Sequence, residues 1–572
     1  MSARSFFRRG GRSAAVLLTG VAAVASVLVA PGRAQASPFC DQPDPPPICF
    51  EDPDPPEEPD RAAQGWFDAM YGANGGVVVS GWATDPDTAG SVTVRVRRNG
   101  AVVQQITANV YRSDVGYHGF SQPLASVPAG PQTICLAAVN VYGGSPHRAA
   151  ETDLGCRTFT GGLQTVGGDP YTNADTQHSA AVEADSFAWG STVVGAYQVG
   201  RGFSGGSTNT GFTVSRDAGL TWTSGVLPGL TVAAGGTHER ASDPVVAYSA
   251  RHGAWMVGSL IIDGGGGRGI MVNRSTDGAA HWSAPTWAIG NDGTEWDKEW
   301  IACDNWTSSP YYGTCYLTIT KMDGYRVQVA RSTDGGLSWS SVNAPAVYGN
   351  GSYPVVRPDG TVVVLYGLTG SVGSFTLTGG GTGSTGPVTV NSGSQYDVPG
   401  LRDVSTVSAD VDGTGRIVAV WHGCRAATGC AWNNLVQATS TDGQNWTVNE
   451  IDTCQDTALC AASNQFAPSV TADPQNPGRF AIVFNDLWNG AVSVRYTSST
   501  DGGRTWKKPP SPLVEAMPLS RMPDTSQGRM LGEYLGISAA NGSVVTVFPV
   551  AAAPSGGQAF AQAMSSYTPL GF

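Results

Sequence analysis

A repeated segment in the C-terminal part of the chain restricts the possible folds more than any other feature of the sequence. Three segments match Ser-x-Asp-x-Gly-x-x-Trp, and two degenerate copies keep the serine, the aspartate and the tryptophan; the aspartates are Asp217, Asp277, Asp334, Asp442 and Asp501. Their spacings are 60, 57, 108 and 59 residues, so one unit near residue 390 has lost the motif. A period of this length, with several short strands in each unit, predicts a β-propeller.

The residue types of the repeated segment indicate a structural role. Serine and aspartate side chains hydrogen-bond the amides of a tight turn, glycine allows a positive φ, and tryptophan packs between strands. We therefore expect each copy to form the hairpin between the third and the outermost strand of a propeller blade. The repetition of these aspartates is no sign of catalysis.

This motif is the Asp box, and residues 161–572 resemble the BNR/Asp-box propellers of the sialidase superfamily. Sialidases have six blades. Here, however, seven phrases have the pattern of an inner strand, and they start at His178, Ser242, Asp297, Ser352, Asp403, Phe466 and Glu533. The last unit lacks an outer strand, which the stretch CRTFTGGLQTV could supply. We predict an all-β chain with an Asp-box propeller of seven blades, with six blades as the alternative.

The region before the propeller predicts two further segments. Residues 64–160 contain short alternating runs such as GGVVVSGWAT and SVTVRVRRNG, separated by turn signals, and predict a small β-sandwich. This region resembles an immunoglobulin-like accessory module of secreted actinobacterial proteins, which implies no chemistry of its own. Residues 37–63 are rich in proline and acidic residues and predict an extended linker.

The first 36 residues predict a signal peptide. Arginines precede an uncharged apolar run over residues 14–30, and Ala34-Gln35-Ala36 offers a cleavage site. No later segment is apolar enough over its length to span a bilayer, so no stable membrane insertion is expected after cleavage. We expect an extracellular protein, either secreted or associated with the cell surface.

The ten cysteines fit an exported protein. They fall into five close pairs that predict five local disulfides: Cys40/Cys49, Cys135/Cys156, Cys303/Cys315, Cys424/Cys430 and Cys454/Cys460. The formal net charge of −12 excludes a nucleic-acid partner held by bulk charge. No zinc-type spacing and no phosphate-binding glycine loop is found, so neither a metal nor a cofactor is predicted.

The predicted starts of the inner strands converge on one mouth of the propeller channel. Such a concentration of ionisable groups predicts a pocket. The candidate catalytic residues are Asp243, Asp297, Glu299, Glu533 and Tyr534. The alternative is that these groups hydrogen-bond from blade to blade or hold water in the channel.

The resemblance to sialidases implies a tyrosine nucleophile assisted by a glutamate, an aspartate as acid/base, and an arginine triad that holds the substrate carboxylate. Candidate substrate-binding residues are Arg240, Arg402 and Arg529 as anion clamps, with Tyr353, His422 and Trp488. The Arg-Ile-Pro phrase that the family places in its first blade is absent here. The family's residues are therefore not carried over position by position.

Three functions follow as hypotheses. The first is a glycoside hydrolase, an exo-α-sialidase or a related glycosidase, acting on an extracellular glycan or polysaccharide. The second is a polysaccharide lyase, in which His178, Tyr353 or His422 would take a proton next to a uronate carboxylate held by arginine. The third is a non-catalytic propeller that binds carbohydrate or protein at a surface.

Overall fold

The structure is a computed structural model and describes residues 61–141, 150–172, 175–368, 370–402, 404–453 and 463–572. The predicted signal peptide, nearly all of the predicted linker, Asp403, and the pairs Cys40/Cys49 and Cys454/Cys460 lie outside these ranges. All described residues belong to one compact unit, Asp60–Phe572. No helix in these ranges is both long and apolar enough to cross a membrane.

The chain from residue 64 folds first into a β-sandwich. One sheet has the order β1 (Gln64–Ala73), β2 (Gly76–Thr84), β6 (Gly116–Pro123), β5 (Val110–Arg112), and the other contains β4 (Ala101–Ala108), β3 (Val92–Arg98), β7 (Gly130–Val139) and β8 (Glu151–Gly167). Alternate residues of β2 are buried, as the period of a strand with one covered face requires. Val79 and Phe120 share a core with Val94 and Ile134 of the second sheet.

Seven four-stranded sheets, the blades, follow. In the first six blades the strands run in chain order from the innermost to the outermost. The first three blades are β9 (Val182–Trp189), β10 (Thr192–Arg201), β11 (Ser207–Ser215), β12 (Thr223–Val226); β13 (Arg240–Ser249), β14 (Ala254–Asp263), β15 (Gly266–Ser275), β16 (Thr286–Gly290); and β17 (Trp296–Cys303), β18 (Cys315–Lys321), β19 (Arg326–Ser332), β20 (Ser340–Val342). The strands of each blade pair antiparallel to their neighbours.

The next three blades have the same order. They are β21 (Asn350–Val356), β22 (Val362–Leu368), β23 (Ser371–Thr378), β24 (Gly383–Ser392); β25 (Ser408–Val411), β26 (Ile417–Cys424), β27 (Asn433–Ser440), β28 (Thr447–Glu450); and β29 (Asn464–Ala472), β30 (Phe480–Trp488), β31 (Ala491–Ser499), β32 (Ser511–Pro518). The short strands β33 (Asp524–Thr525) and β34 (Gly528–Arg529) lead into the last blade. The described helices are 3-10 turns at Val232–Ala234, Ala426–Thr428 and Leu519–Arg521.

The seventh blade joins both ends of the propeller. Its first three strands, from the innermost outward, are β35 (Gly536–Ala540), β36 (Ser543–Ala551) and β37 (Gln562–Thr568). The short strand β38 (Leu570–Gly571) follows, and the outermost strand is the second half of β8. Thr568 pairs with Gly162 and Met564 with Gly167. The prediction that CRTFTGGLQTV closes the ring is therefore confirmed. The first half of β8 pairs with β7, so one continuous strand belongs to both the sandwich and the propeller.

The seven inner strands form a closed ring. Strands β9, β13, β17, β21, β25, β29 and β35 contact one another in this order, and β35 contacts β9. The preferred prediction of seven blades is confirmed, and the six-blade alternative is wrong. Closing the ring removes the free sheet edges that an open array of blades would expose.

The Asp boxes lie between the third and the outer strands of five blades, as predicted. In the first box, the Ser215 hydroxyl donates to Asp217 Oδ1 at 2.8 Å, and the Thr221 amide donates to the same oxygen at 2.9 Å. Equivalent bonds lower the pKa of Asp442, where the Asn445 amide is the largest cause. The box carboxylates are hydrogen-bond acceptors that fix a turn.

Three of the predicted disulfides are present among the described residues. Cys135–Cys156 links paired positions of β7 and β8, and Cys303–Cys315 links β17 to β18. Cys424–Cys430 spans the loop that follows β26. Each of these disulfides links two neighbouring strands or closes one loop, as the close spacing of the cysteines predicted.

Candidate functional site

The inner strands carry a repeated β-bulge near their N-terminal ends. In β13, β17, β21 and β29 the register shifts between a paired residue and the residue three positions later. The first residue inside each bulge has a positive φ: 46° at Asp243, 54° at Lys298, 72° at Gly351 and 47° at Ala467. A bulge re-aims side chains, and a left-handed residue other than glycine marks stored strain that is frequent at functional sites.

The first blade has its bulge at Glu183, where φ is 52° and the pairing of β9 with β10 shifts. The predicted start of this strand at His178 is wrong, because the strand starts four residues later, at Val182. Glu183 lies inside the run Ala180–Ala184 of otherwise apolar residues, so its side chain resembled an interruption of a buried strand. Only its alignment with Asp243 and Lys298 on neighbouring blades could have identified it.

We call the charged groups at these bulges the axial cluster: Glu183, Asp243, Asp297, Lys298, Glu299, Arg402 and Glu533. Lys298 donates to Glu533 Oε2, and its Nζ lies 3.9 Å from a carboxyl oxygen of both Glu183 and Asp243. Glu533 is fully buried. Its other oxygen, Oε1, accepts hydrogen bonds from Arg402 Nε at 2.8 Å and from Arg402 Nη2 at 2.7 Å. These contacts join five segments of the ring through one buried lysine and one glutamate.

Asp243 is the centre of a group of carboxyls. The Glu183 and Asp297 carboxyls are both close enough to Asp243 for their protonation to depend on it. Burial raises the pKa of Glu183 and of Asp297, and the neighbouring charge of Asp243 raises both further. Burial also opposes ionisation of Asp243, but the positive charges of Lys298 and Arg402 outweigh it and lower the Asp243 pKa. The group therefore combines one carboxyl of lowered pKa with two neighbours of raised pKa, the separation that acid–base chemistry requires.

Glu299 faces a small cavity on the channel axis. The cavity has a volume of about 20 Å³, enough for a water molecule, and Asp243, Lys298 and Tyr534 also line it. Neither Glu299 carboxyl oxygen has a hydrogen-bond partner within the described ranges. Burial, followed by the charge of Asp243, raises the pKa of Glu299 well above its usual value. Glu299 is thus a buried protonated acid.

The predicted nucleophile Tyr534 reaches the axial cluster, but its surroundings oppose that role. Its hydroxyl donates to the Pro244 carbonyl at 3.4 Å, and its ring meets the edge of Trp300 at 5.2 Å. Burial, followed by the charges of Glu183 and Asp243, raises its pKa well above the usual value. A tyrosine nucleophile needs the opposite shift.

Two predicted substrate-binding residues lie inside the propeller, and of these Tyr353 is partly buried. Tyr353 stacks on Trp300 with ring centroids 4.4 Å apart, and burial raises its pKa well above the usual value. His422 is fully buried, and its ring faces the Ala467 amide, which donates to Nδ1 at 3.4 Å. Neither of these two side chains is freely exposed to a polymer, and the lyase hypothesis, which also includes His178, stays a prediction.

Each of the three predicted anion clamps contacts a different acceptor. Arg402 is bound to Glu533. Arg240 donates to the Gly205 carbonyl at 2.8 Å, and Arg529 donates to the Met522 carbonyl at 2.9 Å. The backbones of Arg402 and Arg529 are adjacent, since the Arg402 amide donates to the Arg529 carbonyl at 2.9 Å. Trp488 ends β30 at the hairpin on the same side of the ring and is half exposed.

Two further buried residues support the cluster. Gln198 donates to Glu183 Oε2 and, at 3.1 Å, to the Ser242 hydroxyl. Arg201 is 1% exposed and donates to Gln198 Oε1 at 3.0 Å. Gln198 and Arg201 come after most of the apolar residues of β10. A polar pair at the end of an apolar strand was the only signal by which the sequence could have indicated these two residues.

The chain matches no protein-family model. No curated protein sequence matches it.

Several solved structures are similar to the chain. An intramolecular trans-sialidase from Ruminococcus gnavus has 13% identity and a TM-score of 0.39, over 55% of this chain and 92% of that chain. A leech intramolecular trans-sialidase has 10% identity and a TM-score of 0.39, over 74% and 88%. An ulvan lyase has 12% identity and a TM-score of 0.41, over 70% and 94%. Likeness at this level assigns no activity to the chain.

Proposed function

We propose that this chain is an extracellular glycoside hydrolase whose acid–base groups are Asp243 and Asp297. The observation that carries the proposal is the contrast between these two carboxyls. Asp243 is held ionised by Lys298 and Arg402, whereas the pKa of Asp297 is raised. Hydrolysis of a glycosidic bond needs one carboxyl that gives a proton and one that carries charge or activates water.

Asp297 is the better proton donor of the two. Asp297 is partly exposed, whereas Glu183, Glu299 and Glu533 are buried. The Asn350 amide hydrogen-bonds its carboxyl and fixes the orientation. A glycosidic oxygen that reaches the mouth of the channel would meet Asp297 first.

Asp243 would act as the charged partner. After Asp297 has given its proton to the leaving group, Asp243 would accept a proton from the attacking water, and passage of that proton to the neighbouring Asp297 carboxyl would restore the acid. The pKa values of Glu183 and Glu299, which lie close to Asp243, are also raised. Glu533 is bound to Lys298 and Arg402 on its two oxygens, so we assign it a positioning role and not the chemistry.

The test is hydrolysis by the purified protein of a panel of neutral glycans, sialosides and uronate polymers, followed by reducing ends and ultraviolet absorbance. Asp297→Asn keeps the shape and the hydrogen-bonding side chain and should abolish the release of reducing ends. Asp334→Asn, in an Asp box, is the matched control and should keep full activity.

The outcomes separate the three functions. Reducing ends that are lost only in Asp297→Asn support the hydrolase. An unsaturated product that absorbs in the ultraviolet contradicts it and favours a lyase. Saturable glycan binding without any turnover contradicts it as well and identifies a binding propeller whose axial cluster only seals the channel.

A further inference from the structure

The propeller channel opens at its other end into a second, larger space. This lower funnel has a volume of about 530 Å³ and is lined by the C-terminal halves of the seven inner strands. Trp300 and Tyr353 line both the lower funnel and the small axial cavity. Their stacked rings therefore form the floor of the funnel and separate it from the axial cluster.

Aromatic rings line the lower funnel from its floor to its mouth. Trp189, at the end of β9, is 43% exposed, and its ring lies 5.5 Å from that of Tyr248. Trp306 lines another side, and its indole nitrogen donates to the Val356 carbonyl, which fixes the ring. A tryptophan that remains this exposed at the mouth of a cavity of this size offers a flat apolar face to a ligand.

The lower funnel lacks the positively charged side chains that an anionic ligand would need, among the residues that the structure describes. The described residues that line it include no lysine, arginine or histidine. Its three carboxyls are used by the fold: Asp185 accepts the Val246 amide and Asp410 the Ala472 amide, each at 2.7 Å, and Asp473 accepts the Gln475 amide at 3.0 Å. Because these carboxyls already bind backbone amides of the next blade or of their own turn, they offer no free carboxylate to a cationic ligand either.

Uncharged polar groups complete the wall. The amide side chains of Gln475 and Asn541 lie at the rim. The sandwich supports this rim, since the Asn74 amide of the β1–β2 hairpin donates to the Asn541 carbonyl at 3.0 Å and the Gly75 amide donates to the Ser543 hydroxyl at 3.0 Å. The rim is therefore held in place by contacts from both parts of the chain.

From this arrangement we infer that the lower funnel is a second ligand site, which binds a neutral saccharide by stacking on Trp189 and by hydrogen bonds from its amide rim. A pyranose ring has an apolar face of C–H bonds and an edge of hydroxyls, and the funnel offers a partner to each. The site is separate from the axial cluster, so binding here does not depend on the proposed hydrolysis.

The test is isothermal titration calorimetry of the full chain carrying Asp297→Asn, which removes turnover. The probes are cellohexaose, xylohexaose and mannohexaose, with sialyllactose, a galacturonate trimer and a chitosan oligomer as charged comparisons. Trp189→Ala should raise the Kd of the bound neutral probe about tenfold, since it removes one stacking face. Ala539→Trp, a partly exposed position in the funnel wall, should fill the site and abolish binding. Trp66→Ala, an exposed tryptophan of the sandwich, is the matched control and should not change the Kd.

Three results would overturn the inference. They are no saturable binding of any neutral probe, binding of a charged probe alone, and a Kd that Ala539→Trp leaves unchanged. Circular dichroism of each variant checks that the fold is intact. If Trp189→Ala were to unfold, Ala539→Trp would still decide the question.

Discussion

The carboxyls of the inner strands and the carboxyls of the Asp boxes differ in burial, in partners and in the direction of their pKa shifts. Box aspartates such as Asp442 are mostly exposed and accept amides of their own turn, so their pKa is lowered. Inner-strand carboxyls such as Glu183, Asp185 and Glu299 are buried, and burial raises their pKa. Asp243 is the exception, because the charges of Lys298 and Arg402 lower its pKa. The aspartates that the sequence repeats stabilise a turn, while the unrepeated ones hold the protons that chemistry could use.

The comparison also shows why the two sets tolerate change differently. A box carboxylate has its partners within four residues, and five blades each have their own copy. The axial cluster depends on contacts between residues 235 apart, such as Lys298 and Glu533. We therefore expect large effects of substitution at the axis and small, local effects in the boxes.

The largest expected effect is on catalysis by the axial pair. Asp243→Asn removes the ionised member and should lower kcat/KM about 100- to 10,000-fold, the usual contribution of a positioned acid or base. The activity is measured on whichever glycan the wild-type protein hydrolyses. Wild-type activity in this variant would remove Asp243 from the mechanism, while equal losses in a box variant would show that the comparison itself is wrong.

The second expected effect is on stability. Lys298→Met leaves Glu533 with Arg402 alone and leaves Glu183 and Asp243 without a nearby ammonium. It should lower the free energy of unfolding by about 3–5 kcal/mol, as for other broken buried ion pairs. Urea unfolding measures this. Lys508→Met, which breaks the exposed pair with Asp452, is the control and should change it by about 1 kcal/mol or less.

The third expected effect is a pH dependence of opposite sign in the two sets. Burial raises the pKa of Asp185 to about 7, so the folded state binds a proton that the unfolded state has lost above pH ~4. This group therefore lowers the stability as pH rises from about 4 to about 7, by at most about 4 kcal/mol. Asp185→Asn should remove that loss. Urea midpoints at several pH values test it, and identical slopes in both proteins would contradict it.

The Asp boxes should show the reverse trend. The pKa of Asp442 is lowered, so its contribution is present above the unfolded pKa and is lost as pH falls through the folded pKa. Asp442→Asn should lower the stability at neutral pH slightly and reduce its further loss in acid, because the ionised carboxylate no longer contributes. Thermal unfolding between pH 2 and pH 5 compares the two proteins; unchanged acid sensitivity would exclude this contribution.

The smallest expected effect concerns one Asp box alone. Asp501→Ala removes the acceptor for the Thr505 amide and hydroxyl, at 2.9 and 2.7 Å. It should lower the free energy of unfolding by about 1 kcal/mol, because these bonds are local and exposed. Glycan hydrolysis should stay at the wild-type rate, and a clear loss of hydrolysis would give the boxes a role in the site.

Much of the candidate site was predictable, and the errors have one physical cause. Asp243, Asp297, Glu299, Glu533 and Tyr534 do meet at the axis. Glu183 was missed, and Arg402 was assigned to a substrate when it binds Glu533. The inner strands bulge, and an extra residue in a strand turns the following side chains to the other face. A sequence pattern of period two does not show such an insertion.

The sequence by itself determined the repeat, the Asp boxes, the number of inner strands and the stretch that closes the ring. These features depend on local turn chemistry and on spacing along the chain, which are both visible in the residues. The tertiary structure alone decided which charges meet, because ring closure brings Glu183, Lys298 and Glu533 together from three separate blades. It alone also divided the channel, since the stacking of Trp300 on Tyr353 depends on the packing of two neighbouring blades.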